Sequence, residues 1–496
     1  MPKCEEEYII SAVKNEKSRD GHGGAYGLIM KDLTKGNPFR LILLFSLPIL
    51  VGNIFQQLYN MADTIIVGNT VNADAFSGVG ITGPITFLIL GFVNGLTGGF
   101  SVRVSQRFGA GDEAGVRRAI GMSYLLCVIM TVVVTAIAVP LSGPLLRLMN
   151  TPEQYFDYAY AYLLVIFCGI GATVFYNILA GILRAIGDSR TPLYFLILAA
   201  CLNVGLDFAF IVGFRMHYHG AAVATVVSQL ISGLLCFIYM NKRYPQFRVH
   251  RSDFAWDWKL AGGHIAVGLP MALQFSITAI GCIVQQTALN SLNASVPGVV
   301  TAYTAASKID NIASQTFSAL GTAMAMYAGQ NYGADRMDRV RKGVLVGMVY
   351  TVVGAAVGFA FCIGLYDPLI GLFLNQNNGG DLALYYNDIL GYGKQFLLFQ
   401  SGCYLLLGTI FVYRNALQGI GKSTITMLAG VTEVVGRVVT AFVFVDLWGF
   451  TGVCMSNPMA WLAADIFLLI TYYAIMHGRK SRDKRRMRAE AVPARA

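Results

Sequence analysis

Apolar residues in this chain come in long runs rather than in alternation. Stretches rich in Leu, Ile and Val recur at about 41–68, 77–101, 119–141, 155–181, 191–213, 220–240, 260–290, 299–328, 343–366, 384–412, 423–446 and 450–476. Each is long enough to cross a hydrocarbon core of roughly 30 Å as a helix. None shows the period of two that lipid-facing barrel strands carry, so the pattern predicts twelve transmembrane helices. The first stretch, Leu41–Asn69, holds Pro48, Gln56, Gln57, Asn60 and Asp63 in its middle. An acid inside a spanning helix costs roughly 3 kcal/mol or more unless it faces a polar cavity or a partner, so Asp63 is a functional candidate.

The pattern also repeats. QRFGAGD at Gln106–Asp112 returns as QNYGAD at Gln330–Asp335, LRAIGDS at Leu183–Ser189 as LQGIGKS at Leu417–Ser423, and SLPILVGN around Pro48 as GLPMALQF around Pro270. The offsets are 330 − 106 = 224, 421 − 187 = 234 and 270 − 48 = 222. Six spans is an even number, so both halves share one orientation and form a parallel repeat about an axis along the membrane normal. The expected division is an N-terminal arm (1–36), a first lobe (37–240), a linker (241–259), a second lobe (260–476) and a basic tail (477–496). Two lobes around a central cavity suit a carrier.

Charge sets the orientation. Of the 37 Lys and Arg, 32 lie in the arm, in every second loop and in the tail, which predicts that both termini and those loops are cytoplasmic. The net charge of +10 therefore reads as a positive-inside anchor near anionic lipid, with no nucleic-acid partner. Only 13% of residues are charged, against about 25% in soluble domains. The nine cysteines form no CxxC and the six histidines no HExxH, so neither a disulfide framework nor a zinc site is suggested. The glycine-rich turns lack the GxxxxGK[ST] spacing and read as helix caps, and no nucleophile–base pair points to an enzyme.

Polar residues inside the spans narrow the chemistry. Asn203 and Asp207 stand four residues apart on one face of segment five, with Thr225 in segment six and Tyr162 and Asn177 in segment four. With Asp63, Asn60 and Gln56 they form a set of oxygen donors suited to Na⁺ or a shared proton. A lone Asn or Thr in a membrane helix more often bonds a neighbouring helix, so Asn177 and Thr225 are the weaker members. Shifted by the repeat, Asp63 becomes Gln285, and Asn203 and Asp207 become Arg437 and Ala441. The acid set thus has no copy, and a cation site is expected in the first lobe alone. Glu433 and Arg437, one turn apart, are expected to neutralise each other, and Lys308 and Asp310 to find ion-pair partners of their own.

These motifs resemble the multidrug and toxic compound extrusion (MATE) family. The resemblance covers about 33–476 and rests on the LP-x(7)-Q-x(3)-N-x-x-D pattern (Pro48, Gln56, Asn60, Asp63), the paired QxxGA turns and the paired GIG/AIGDS turns. Asn203 and Asp207 make the chain most similar to the DinF-like prokaryotic branch. Segment seven has no acid where the NorM-like branch is expected to carry a Glu. The resemblance implies a V-shaped all-α fold and a cation site at Asp63, Asn203, Asp207 and Thr225, with a substrate-contacting set of Gln56, Asn60, Tyr162 and Asn177. It implies a monomeric antiporter of the bacterial plasma membrane with no cofactor beyond the coupling Na⁺ or H⁺. Amphiphilic, cationic drugs would leave by alternating access, with helix one bending near Pro48. The rival is a lipid-linked oligosaccharide flippase of the same superfamily, which needs a cationic cavity for pyrophosphate.

Overall fold

The computed structural model describes residues 32–70, 78–149, 151–214, 216–292, 296–370 and 385–490, with their side chains except at 60–70, 212, 217, 218 and 479–490. The first half contains α1 (Pro38–Thr70), α2 (Gly83–Gly109), α3 (Glu113–Leu148), α4 (Glu153–Cys168), α5 (Ile170–Ala185), α6 (Arg190–Asp207) and α7 (His217–Arg243). The second contains α8 (Trp258–Leu292), α9 (Val299–Gly333), α10 (Met337–Gly364), α11 (Tyr366–Ile370), α12 (Tyr386–Gly402), α13 (Tyr404–Gly419), α14 (Ser423–Val439), α15 (Val445–Trp448) and α16 (Phe450–Glu490). Among the described residues nine spans are long and apolar enough to cross a membrane, and the bent pairs α4–α5 and α12–α13 each make one more. The twelfth is α9. Its 35 residues reach roughly 52 Å. It packs against α1, α2, α10, α12 and α13, and Thr304, Ser307, Lys308, Asp310 and Asn311 leave it more polar than the nine.

The structure corrects two expectations of helix continuity. Stretches 155–181 and 384–412 read as single helices, but they bend by 49° between α4 and α5 and by 44° between α12 and α13. The breaks fall at Gly169 and beside Ser401–Gly402, where the helical ladder is weakest. At Gly169 any Cβ would collide with the Val226 side chain.

The tight turns follow from backbone chemistry. Gly111, Gly187 and Gly421 have φ of +71°, +94° and +79°, the left-handed conformation that lets a helix end and its successor start at once. Asp112 then caps α3 by accepting the Gly115 N–H at 2.8 Å. In the second QxxGA turn the place of Gly111 is taken by Asp335, at φ 55°.

The two lobes meet along α2 and α8. Gly95 and Gly99 face Ala272 and Gly268, and a Cβ on Gly99 would strike the Gly268 backbone. Small residues four apart on both helices let the backbones touch, which is how helices gain contact in lipid. At the end of the bundle that carries the basic loops the seam becomes symmetric. Gln106 Nε2 donates to the Gly419 carbonyl at 2.7 Å, and Gln330 Nε2 to the Ala185 carbonyl at 2.8 Å. Gly109 lies against the Gln330 carbonyl and Gly333 against that of Gln106.

The end of the N-terminal arm is fastened to the same place. Leu33 is fully buried, and its N–H donates to Gln330 Oε1 at 2.9 Å. Its carbonyl accepts from Asn331 and Arg339. Burial alone would raise the Asp32 carboxyl, but hydrogen bonds from Thr34 and Lys35 hold it below its ordinary value.

Candidate functional site

Asn203 and Asp207 occupy the last turn of α6 and are 1% and 0% exposed. A π-helical segment, Phe208–Gly213, follows at once and widens the backbone beside them, as such turns often do at functional sites. Thr225 comes from α7, and Asn203 Nδ2 points to its Oγ1 at 3.4 Å. Three of the four cation-site candidates thus stand at the α6–α7 junction in the core of the first lobe. The side chains of Asn60 and Asp63 lie outside the described residues. Their backbone is on α1, which packs along α6. A Cβ at Gly52 would meet Leu193 and Leu196, and eleven residues further along the two helices (63 − 52 and 207 − 196) lie Asp63 and Asp207. Equal helical rise from that contact brings the two backbones to similar height.

The substrate-contacting candidates divide. Gln56 is exposed on α1 and Tyr162 is half-buried on α4. Asn177 on α5 donates Nδ2 to Asn94 Oδ1 on α2 at 2.5 Å, a bond between helices of the sort that polar membrane residues commonly make. Asn94 is a polar partner the sequence reading missed. The available signal was its place among the glycines of segment two.

The second lobe overturns an expected pairing. Glu433 does not neutralise Arg437. It accepts from Arg414 on α13, and both side chains are nearly buried. Arg414 lies just past the apolar run 384–412, which by pattern places it in a loop, but α13 continues to Gly419 and draws it inside. Arg437 instead donates Nε to Asn457 Oδ1 at 3.2 Å and Nη1 to the Thr278 carbonyl at 3.4 Å, with Gly281 leaving room for it. The ion-pair expectation for Asp310 also fails, since its Oδ1 accepts from the Tyr404 hydroxyl at 2.8 Å, while Lys308 is exposed. Asp465 on α16 is 2% exposed, and its carboxylate oxygens find no hydrogen-bond partner among the described residues. The second half therefore buries acids of its own, at positions unrelated to Asp63, Asn203 and Asp207 by the repeat. The α6–α7 pairing has a distorted counterpart here, with Arg437 in the place of Asn203 reaching α16 as Asn203 reaches α7.

The MatE family model matches residues 48–209 and again 270–443, starting at each of the two repeated prolines. The chain belongs to the MatE family. A relative from Bacillus subtilis called a probable multidrug resistance protein, YpnP, is 30% identical over 391 residues, 79% of this chain and 84% of its own length. The probable multidrug resistance protein NorM of Thermotoga maritima is 25% identical over 418 residues, 82% of this chain and 85% of its own. A solved structure described as the outward-facing conformation of a multidrug resistance MATE family transporter shares the fold at a TM-score of 0.81, with 24% identity over 90% of this chain and 97% of that one.

Proposed function

We propose that this MatE protein is a secondary antiporter that exports amphiphilic, cationic organic compounds in exchange for inward-moving Na⁺ or H⁺. The observation that carries the reading is the buried pair Asn203 and Asp207 with the half-buried Thr225 at the α6–α7 junction, and α1 alongside. Carboxylate, amide and hydroxyl oxygens suit a hard cation or a proton, and burial keeps the site out of bulk water. Asp63 completes the set, and Asn60, Gln56, Tyr162 and Asn177 serve the neighbouring drug site. Cation binding there alters α1 near Pro48 and lowers drug affinity in the first lobe. The DinF-like character of the site and the division into lobes at 37–240 and 260–476 belong to this reading. So does placement as a monomer in a bacterial plasma membrane with the basic end cytoplasmic. The names of YpnP and NorM support multidrug export.

The flippase alternative loses two of its cations. Arg414 is neutralised by Glu433, and Arg437 is 5% exposed and tied to Asn457 and Thr278. Those two guanidinium groups are therefore poor candidates for gripping a pyrophosphate in an open cleft. The test is ethidium efflux by everted vesicles carrying Asp63→Asn or Asp207→Asn, with ΔpH and Na⁺ varied independently. Each variant should lose at least tenfold in efflux, and dependence of the unmutated protein on ΔpH or on Na⁺ names the coupling ion. Undiminished efflux in both variants removes the site.

A further inference from the structure

A cavity opens on the outer surface of the first lobe, lined by none of the α6–α7 site residues. Its volume is about 530 Å³, and α3, α5, α7 and the linker between the lobes enclose it. Tyr124, Thr131, Gly171 and Phe237 form its walls, and Val249 and Phe254 of the linker close its basic end. It opens sideways: Val128 and Val132 on its rim are 65% and 64% exposed on a spanning helix, so they face lipid. Gly171 keeps it open, because a Cβ there would press on Thr131 Cγ2 at 3.2 Å.

Two features set the cavity apart from ordinary lipid-facing surface. The Tyr124 Oη is buried in its wall with no hydrogen-bond partner among the described residues. An unpaired buried hydroxyl is costly, so the ring gains by turning it toward an acceptor that enters the cavity. The second feature is the linker. Residues 248–259 read RVHRSDFAWDWK, and Arg248, Arg251, Phe254, Trp256, Trp258 and Lys259 are all exposed. The two tryptophan rings pack edge to face at 5.1 Å. Interleaved Trp and Arg are the composition of a segment lying in the headgroup layer. The linker is pinned to α3, with Arg117 Nη1 donating to the Gln246 carbonyl at 3.2 Å and Arg118 meeting Asp257 at 3.3 Å. The Leu260 N–H, outweighing burial, holds the Asp257 carboxyl below its ordinary range and ionised for Arg118.

The geometry points to a binding site for one anionic phospholipid, with an acyl chain in the cavity, an ester carbonyl on the Tyr124 hydroxyl and the phosphate group among Arg248 and Arg251. The spacing agrees. Tyr124 lies six residues beyond Arg118 along α3, about 9 Å deeper, and Thr131 about 10 Å deeper again. Phosphate, ester and chain follow one another in that order in a phospholipid. A zwitterionic lipid fills the cavity equally well but gains less from the two arginines. A lipid seated there ties the linker to α3, and so restrains the segment that joins the lobes.

The experiment uses the full-length protein, delipidated in detergent and titrated with dioleoyl phosphatidylglycerol or dioleoyl phosphatidylcholine. Native mass spectrometry reads the bound lipid. The unmutated protein should hold phosphatidylglycerol several-fold more tightly than phosphatidylcholine. Arg248→Gln with Arg251→Gln, both exposed and safe for folding, should weaken phosphatidylglycerol about tenfold and abolish the preference. Tyr124→Phe should weaken both lipids, since both carry the ester, and Thr131→Trp should block both by filling the chain site. Equal retention of the two lipids by the unmutated protein overturns the assignment, as does indifference to Arg248→Gln/Arg251→Gln and Tyr124→Phe. Displacement of phosphatidylglycerol by micromolar ethidium would make the cavity a drug site and also overturn it. None of these readouts depends on transport, so failure here leaves the antiport reading standing.

Discussion

At the scale of single residues, burial decides which charges can be left alone. Glu433 and Arg414 are each other's counter-ions inside the second lobe. Removing one partner leaves the other charged and desolvated, which costs far more than the pair is worth. Glu433→Gln should therefore destabilise the protein by about 3–5 kcal/mol, and Arg414→Met with Glu433→Leu should recover most of that loss. Thermal unfolding in detergent checks both. A single-variant loss below about 1 kcal/mol would show that the buried pair is already solvated. Backbone conformation gives a second contrast. Gly111 and Asp335 occupy the same turn position in the two halves, both at positive φ. Gly111→Ala should cost about 1 kcal/mol, because alanine pays the left-handed penalty in full. Asp335→Gly should be close to neutral, since Asp tolerates that region through local hydrogen bonding. The acids at 63 and 207 stood out in the sequence because a carboxylate is rare in an apolar run. Asp465 is as rare, but no polar residue stands one turn from it on its own helix.

At the scale of helices, the sequence patterns that survive folding are the periodic ones. Gly91, Gly95 and Gly99 recur every fourth residue and so share a face, and that face proves to be the one α8 presses on. Gly99→Leu should push α2 and α8 apart and lower the melting temperature by several degrees. Gly98→Leu, whose Cβ would reach only the tip of Met271 at 3.4 Å, should do much less. Equal effects at 98 and 99 would count against close backbone contact as the reason for the glycines. Hydropathy located the spans but not the breaks inside two of them. At the bend Gly169 lies against the Val226 side chain on α7, and nothing in residues 155–181 announces that neighbour. The same limit misplaced Arg414, whose run of apolar residues ended before its helix did.

At the scale of the molecule, the repeat becomes a mechanical seam. Gln106 and Gln330 are related by the repeat, and each reaches across the seam to the end of the broken span in the opposite lobe. Gln330 also holds the arm through Leu33. Alternating access requires this end to part, so the two bonds resist opening. Gln106→Ala together with Gln330→Ala should raise the labelling rate of a cysteine placed at Ala185, which is fully buried, by a membrane-impermeant maleimide applied to the basic end. The single variants should do less, and an unchanged rate in the double variant would mean that glycine packing alone keeps the seam shut.

What the sequence determined by itself was everything that depends on local pattern. Twelve apolar runs fix the number of spans because lipid offers the backbone no other partners, and the paired QxxGA and GIG turns fix the two-lobed plan because the same turn chemistry is written twice. The amide and the acid four residues apart on one helix face, Asn203 and Asp207, pointed to the first lobe as the place to look for a cation site. Tertiary structure alone decided who pairs with whom. Glu433 chose Arg414 on another helix over Arg437 one turn away, Asn177 was taken by Asn94, and the linker folded onto α3 to roof a cavity. Those outcomes depend on which side chains arrive at the same depth from different helices, and a distance between helices is a property no one-dimensional pattern carries.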